Sequence, residues 1–369
     1  MHSCVLPIER IGSVQQLSLK KKIGYSVFIV LSICLLAEIA LRVAFFQLNT
    51  KSHHKLAVTL AAEKAIIYVK RKIAERSVEK VPSRYDLYSN SQPSRDLLDY
   101  FRRQYTEYFD LFMHEAGSTG AKVIVLYLPV FGEEELSEDL RIFLHREADR
   151  YNTFFVDVTH DVLAYPQEDV TLKPVDGHYS RFGNRIIASR LADVIRTHFP
   201  GFVSPVKLNK RPRLLGDLKP NQDTVWEIKE HMAFSLISNA QGTRNEKDFD
   251  ITSPEGKQRV LVLGSSVAFG PYLPNHDTFP AQLERMLPGT EVINAAFGGY
   301  IITDKYTLLR DRAKFANPDI IVLQVSPADV TNFLYFKRNE FDREKKIWKP
   351  SEPEKKFFEF VEKQQKESR

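Results

Sequence analysis

Residues 259–270 read Arg-Val-Leu-Val-Leu-Gly-Ser-Ser-Val-Ala-Phe-Gly. The apolar run is short, rich in valine and closed by glycine. That is the pattern of a strand buried on both faces of a parallel sheet. A serine on the turn that follows, Ser266, projects its hydroxyl at the sheet edge. Backbone N–H groups at the start of the next helix surround such a hydroxyl and can stabilise an oxyanion. The plainer reading of the same turn is a Gly-Ser helix cap. A phosphate-binding loop is excluded, since no Gly-Lys-Ser/Thr follows.

Working outward, the pattern recurs. Strand-like apolar runs lie at 122–130, 153–158, 291–296 and 318–325. Helical spacing is read over 96–116, 133–151, 180–198, 278–287 and 303–315, with Thr278 as an N-cap and Pro280 in the first turn of its helix. Residues 201–257 are mixed and polar and read as a long connection with a few strands or turns. Strands alternating with helices predict an α/β three-layer sandwich with a central parallel sheet. In such sheets chemistry gathers at the carboxyl ends of the strands.

The residues just past each strand are therefore the ones to inspect. Phe297-Gly298-Gly299-Tyr300 is a tight turn or a place of close backbone approach. Asp329 reads as a helix cap. Upstream, Asp176-Gly177-His178 precedes the helix 180–198. A carboxylate and an imidazole two residues apart can face one pocket, the carboxylate fixing the ring tautomer while the other nitrogen takes a proton from a serine. Metal ligation and structural capping are the competing readings of that pair.

The 369 residues are 43% hydrophobic and 27% charged, which excludes a wholly disordered chain. The surplus of 52 basic over 47 acidic residues is too small to argue for nucleic-acid binding. Both cysteines, Cys4 and Cys34, precede residue 50, so the rest of the chain holds no disulfide and no cysteine metal site.

Lys20, Lys21 and Lys22 precede a run from Ile23 to Ala37 that carries no charge. With Glu38 and Arg42 near its far end, the segment 23–48 is expected to be a transmembrane anchor; the alternative is a cleaved signal peptide. The basic start favours a cytoplasmic tail at 1–22 and a single-pass protein whose globular part is extracytoplasmic. Residues 49–95 then form a stalk and linker, with a helix over 56–80. Residues 337–369 form a charged tail.

Taken together, these stretches resemble the SGNH/GDSL hydrolase family. Its Gly-Asp-Ser block is matched by Gly264-Ser265-Ser266, its glycine block by residues 294–300, its Asn-Asp block by Ala328-Asp329 after Pro318-Asp319, and its Asp-x-His block by Asp176-Gly177-His178. The lead-in at 35–42 and the prelude from Leu218 resemble membrane-tethered members. The resemblance spans 96–200 and 215–335. It implies Ser266 as nucleophile, His178 as general base, Asp176 as its orienting partner, and an oxyanion hole from the N–H groups of Ser266 and Gly299. It implies no cofactor and no metal.

Two departures stand out. Ala328 replaces the asparagine that donates to the oxyanion, and Ser265 replaces the acidic residue beside the nucleophile. The order is also inverted: the histidine half (96–200) precedes the serine half (258–336), joined by 201–257. One circularly permuted domain is expected, with the strand at 122–130 beside that at 318–325; two partial copies are the alternative. The functional expectation is a membrane-tethered serine esterase or acyltransferase acting on an acyl ester, O-acetyl esters among them, of a carbohydrate or lipid. The alternative is a catalytically impaired module that binds glycan or assembles with a membrane acyltransferase.

Overall fold

The computed structural model describes residues 84–89, 91–229, 232–250, 257–333 and 351–367, all within the unit Pro82–Arg369. The expected cytoplasmic tail, anchor and stalk helix lie outside the described residues. Among the described residues no helix is long and apolar enough to cross a membrane.

In chain order the elements are α1 (Arg84–Leu87), α2 (Gln92–Gly117), β1 (Lys122–Tyr127), α3 (Glu138–Asp149), β2 (Phe154–Asp157), α4 (Thr159–Leu163), α5 (Gln167–Val170), α6 (Arg181–His198), β3 (Asp223–Lys229) and β4 (Met232–Ile237). Then come β5 (Gln258–Leu263), α7 (Ser266–Phe269), α8 (Phe279–Met286), β6 (Thr290–Asn294), α9 (Ile302–Asp311), β7 (Ile320–Val325), α10 (Ala328–Thr331) and α11 (Glu352–Glu367).

Five strands form one sheet in the order β2-β1-β7-β5-β6, with every neighbouring pair parallel. β7 thus joins the histidine half to β5: Lys122 pairs with Ile320 on one side, and Val260 pairs with Ile320 on the other. β3 and β4 form a separate antiparallel hairpin within the 201–257 connection.

The strands obey the period of two that pleating imposes. Val125, Tyr127, Leu261, Leu263, Ile321 and Leu323 point to one face, where α2 lays down Phe101, Tyr105, Phe109 and Phe112. Ile124, Leu126, Val260, Val262, Ile320 and Val322 point to the other, against Ile187 and Leu191 of α6 and Leu283 of α8. All these residues are buried. Truncating any of the α2 phenylalanines to alanine in such a core costs about 3–5 kcal/mol.

Several boundaries differ from expectation. The linker expected up to residue 95 ends earlier, because Ser91 caps α2: its side chain accepts from Ser94 N–H at 3.2 Å, and Pro93 sits in the first turn where no amide donor is needed. Residues 133–137 were expected to be helical but fold as turns. Ser137 N–H and Oγ–H both donate to the Glu133 carbonyl, and regular helix begins only at Glu138. The helix expected over 303–315 breaks after Asp311. Arg312 leaves the helical region at φ −145° and pairs with Asp217 of the connection. The charged tail contains α11, whose Phe357 and Val361 are buried in the same core as Phe101.

Candidate active site

The sheet ends all its parallel strands at one edge, and the turn after β5 carries Ser266 there. Ser265 is extended and α7 starts at Ser266, with Gly270 N–H donating to the Ser266 carbonyl at 2.8 Å. Gln324 of β7 fixes the turn from the side: its Oε1 accepts from Ser265 N–H at 2.9 Å and from Ser265 Oγ–H at 3.2 Å. Gln324 is fully buried, and its Nε2 has no hydrogen-bond partner among the described residues. Satisfying Ser265 therefore comes at the cost of one unpaired donor.

The second component comes from the loop between α5 and α6. That loop is pinned at its base by the Thr171–Tyr179 bridge, by Leu172 N–H to His178 O at 2.8 Å and by Ser180 N–H to Val170 O at 2.8 Å. Tyr179 is buried and donates to the Pro129 carbonyl at 2.8 Å, which ties the loop to the end of β1. Ser180 caps α6 by accepting from Gly183 N–H at 3.2 Å. Gly183 must be glycine, since a Cβ there would lie 2.3 Å from the Val170 carbonyl oxygen.

These two segments meet. His178 Nε2 is 2.8 Å from Ser266 Oγ, and His178 Nδ1 is hydrogen-bonded to Asp176 Oδ1. Asp176 also accepts from His178 N–H at 2.9 Å. The Asp176 side chain is 8% exposed and that of His178 29%, so the carboxylate is shielded while the ring reaches the surface. An ionised carboxylate only accepts, so the proton of a neutral imidazole sits on Nδ1. Nε2 then carries the lone pair and accepts from the serine hydroxyl.

Gly299 lies on the turn after β6 at φ +85°, a left-handed conformation that disfavours any residue with a Cβ. Among the described residues, neither Ser266 N–H nor Gly299 N–H donates to another group. Beside it, Tyr300 donates to Asp217, which also pairs with Arg312. Burial, then the Asp217 carboxylate, hold the Tyr300 hydroxyl well above its ordinary value, so it stays a donor. The connection 201–257 thereby fastens the glycine turn.

The turn after β7 holds Ala328 at the start of α10. Asp329 is no mere helix cap. Its Oδ2 accepts from Ser326 N–H at 2.9 Å, and its Oδ1 pairs with Lys305 of α9, both side chains having lost essentially all solvent contact. Lys305 Nζ also donates to the Gln324 carbonyl at 2.7 Å. Burial pushes the Asp329 carboxyl up, and the Lys305 ammonium opposes that shift.

Sequence reading missed Asp217 and four more residues around this site. Gln324 was signalled only as a polar residue inside an apolar strand, and Lys305 only as a lysine on an apolar helix face. Tyr272 has φ +65° and its ring lies 6.1 Å from that of His178, edge to face. Arg244 lies in the connection and gave no signal. Among the described residues no group of three or more metal-ligating side chains gathers.

Fold and site make this an α/β protein with a serine–histidine–aspartate constellation at the carboxyl edge of a parallel sheet. No protein-family model matches the chain, and no curated protein matches it. Among solved structures it is similar to the O-acetyltransferase domain of Pseudomonas putida AlgJ, at 14% identity over 67% of this chain and 87% of that one, with a TM-score of 0.41.

Proposed function

We propose that this chain is an SGNH-like serine esterase or acyltransferase acting on an acyl ester, O-acetyl esters among them, of a carbohydrate or lipid. The observation that carries the reading is His178 bridging Asp176 and Ser266 through its two ring nitrogens.

The chemistry follows from that arrangement. Ser266 Oγ attacks the ester carbonyl while its proton passes to His178 Nε2. Asp176 holds the ring in the required tautomer and stabilises the imidazolium. Negative charge on the carbonyl oxygen is taken by the N–H groups of Ser266 and Gly299. The imidazolium returns its proton to the departing alkoxide, leaving an acyl group on Ser266. Water, or the hydroxyl of an acceptor, then gives a proton to His178 and attacks the acyl-enzyme, and the acyl–Oγ bond breaks as the imidazolium returns that proton to Ser266. The first outcome is hydrolysis and the second is transfer.

In this reading the chain is one SGNH-like domain in circularly permuted order. Its support is that β7 joins β1 of the histidine half to β5 of the serine half in a single sheet. Tethering by residues 23–48, with the domain outside the cytoplasm, completes the proposal. A second reading, a binding module that works with a membrane acyltransferase, is favoured by Ala328 alone, because that position lacks a side-chain donor for the oxyanion.

The deciding experiment is turnover of 4-nitrophenyl acetate by the wild type and by Ser266→Ala, with thermal melts as a fold control. The enzyme reading requires wild-type turnover that Ser266→Ala loses. Equal background rates in two folded proteins would transfer the weight to the binding module.

A further inference from the structure

Among the side chains that the 201–257 connection packs against the segment following Ser266 is one cation. Arg244 is 2% exposed. Its Nε donates to Asn275 Oδ1 at 3.1 Å, its Nη1 to the carbonyls of Phe269 and, at 2.6 Å, of Gly270, and its Nη2 to the Leu273 carbonyl at 2.5 Å. The guanidinium also lies 4.6 Å from the Phe269 ring centroid and 5.2 Å from that of Phe234. Every one of these acceptors is neutral, and no carboxylate pairs with Arg244 among the described residues. Burial pushes its guanidinium down to about 9, so at neutral pH it carries its charge.

A buried cation without a counter-charge is expensive, and a turn of this kind can be held by neutral groups alone. Its place in the fold suggests what it supplies. The carbonyls it binds, of Phe269, Gly270 and Leu273, lie three to seven residues after Ser266 and flank Tyr272, which stands in the left-handed region beside the His178 ring. Phe269 closes the single turn of α7 that Ser266 opens. At 1.5 Å rise per residue, that turn is about 6 Å long.

We propose that Arg244 is a positioning residue for the chemistry at Ser266: it locks the segment from Phe269 to Leu273 and supplies a fixed positive charge, with no carboxylate partner among the described residues, at the far end of the single helical turn that Ser266 opens. This inference rests on the acyl-transfer reading above. A fixed charge in a water-poor interior acts over such distances far more strongly than in solvent, and it needs no reorganisation as the reaction proceeds. The fork of the guanidinium matters as well, because it reaches several carbonyls in one plane, which a lysine cannot.

The test uses phosphonylation of Ser266 by a fluorophosphonate probe, followed by intact mass, with thermal melts for every variant. Labelling needs no acyl acceptor and reports the nucleophile directly. Arg244→Ala is expected to label about 30-fold more slowly at saturating probe, with the half-saturating concentration little changed. Arg244→Lys, which keeps the charge but not the fork, should fall between it and the wild type, and added methylguanidinium should restore part of the Arg244→Ala rate. Wild-type labelling rates in folded Arg244→Ala overturn the proposal. So does a slow Arg244→Ala that neither methylguanidinium nor the lysine improves, since that marks a purely structural role. Should Arg244→Ala not fold, Arg244→Lys alone decides, and a wild-type rate there overturns the proposal. Failure of the wild type to label, with Ser266→Ala as the blank, removes the acyl-transfer reading itself and this inference with it.

Discussion

His178 Nε2 and Ser266 Oγ stand 2.8 Å apart across a sequence separation of 88 residues. They meet because β7 is inserted between β1 and β5, so that both halves of the chain end their strands at one edge. The pairing of Asp176 with Nδ1 makes a sharp expectation. Asp176→Asn would offer the ring a donor as readily as an acceptor and would release the tautomer that keeps Nε2 unprotonated. A loss of about 10³–10⁴ in kcat for a nitrophenyl ester is expected, with KM nearly unchanged. Steady-state kinetics on folded protein checks it, and a loss under tenfold would remove Asp176 from the mechanism.

Gly183 tests how the histidine loop is supported. A methyl group there meets the Val170 carbonyl at 2.3 Å, and that carbonyl already accepts from Ser180 N–H. Backbone cannot yield as a long side chain can, so Gly183→Ala must shift α6 against α5 and take the base of the 171–180 loop with it. A lower melting temperature together with a fall in kcat of about tenfold or more is expected if His178 is the base the proposed reaction needs, because small misplacements of such a base are costly. Unchanged kinetics in the face of a lowered melting temperature would show that His178 is held independently of the α5–α6 contact.

The sheet and the site were legible to different depths. The apolar runs at 122–130, 259–263 and 318–325 announced buried parallel strands because they are short, rich in β-branched residues and bounded by turn residues, as a doubly covered sheet requires. The expected neighbours, 122–130 and 318–325, do pair, over Lys122–Tyr127 and Ile320–Val325; the first strand ends at Tyr127, short of the expected 130. Asp176, His178 and Ser266 could be picked out because each sits on a glycine-marked turn beside a strand or helix end. What escaped was held by tertiary context. Arg244 and Asp217 belong to a polar stretch with no periodicity, and only the folded chain brings them under the turn after β5 and beside Tyr300. The α11 helix escaped for the opposite reason: its few apolar residues are swamped by charge, and Phe357 finds its place only against α2.

The Lys305–Asp329 pair should behave as a buried ion pair does. Lys305→Met removes one partner and leaves a carboxylate, two hydrogen bonds from Ser326 and no counter-charge. A destabilisation of about 3–5 kcal/mol is expected, read as a lower urea midpoint at constant slope. The double variant Lys305→Met/Asp329→Leu should regain most of that loss, because burying two apolar side chains carries no desolvation cost. If the double variant is as unstable as the single one, the pair is holding the 326–329 turn through its hydrogen bonds to Ser326 and Gln324 rather than by charge.

Ala328 makes the strongest demand on the functional reading. It opens α10 at the carboxyl end of β7, and β7 is the direct neighbour of the strand that delivers Ser266. In the hole proposed from the N–H groups of Ser266 and Gly299, residue 328 supplies no side-chain amide, and in a comparable hole one such donor is worth on the order of 10²–10³ in rate. Ala328→Asn adds a donor at the first residue of α10, just after Pro327. Because the new bond would form only as charge develops on the carbonyl oxygen, the gain should appear in kcat and not in KM. An increase of about tenfold is expected, short of the full value because the surrounding turn, fixed by Asp329 and Lys305, has not been shaped around an amide. Stopped-assay kinetics with a nitrophenyl ester on wild type, Ala328→Asn and the double variant Ala328→Asn/Ser266→Ala measures it. A rate gain that disappears in the double variant places residue 328 beside the hole. A gain that survives loss of Ser266, or no gain in a folded and Ser266-dependent enzyme, puts the oxyanion elsewhere.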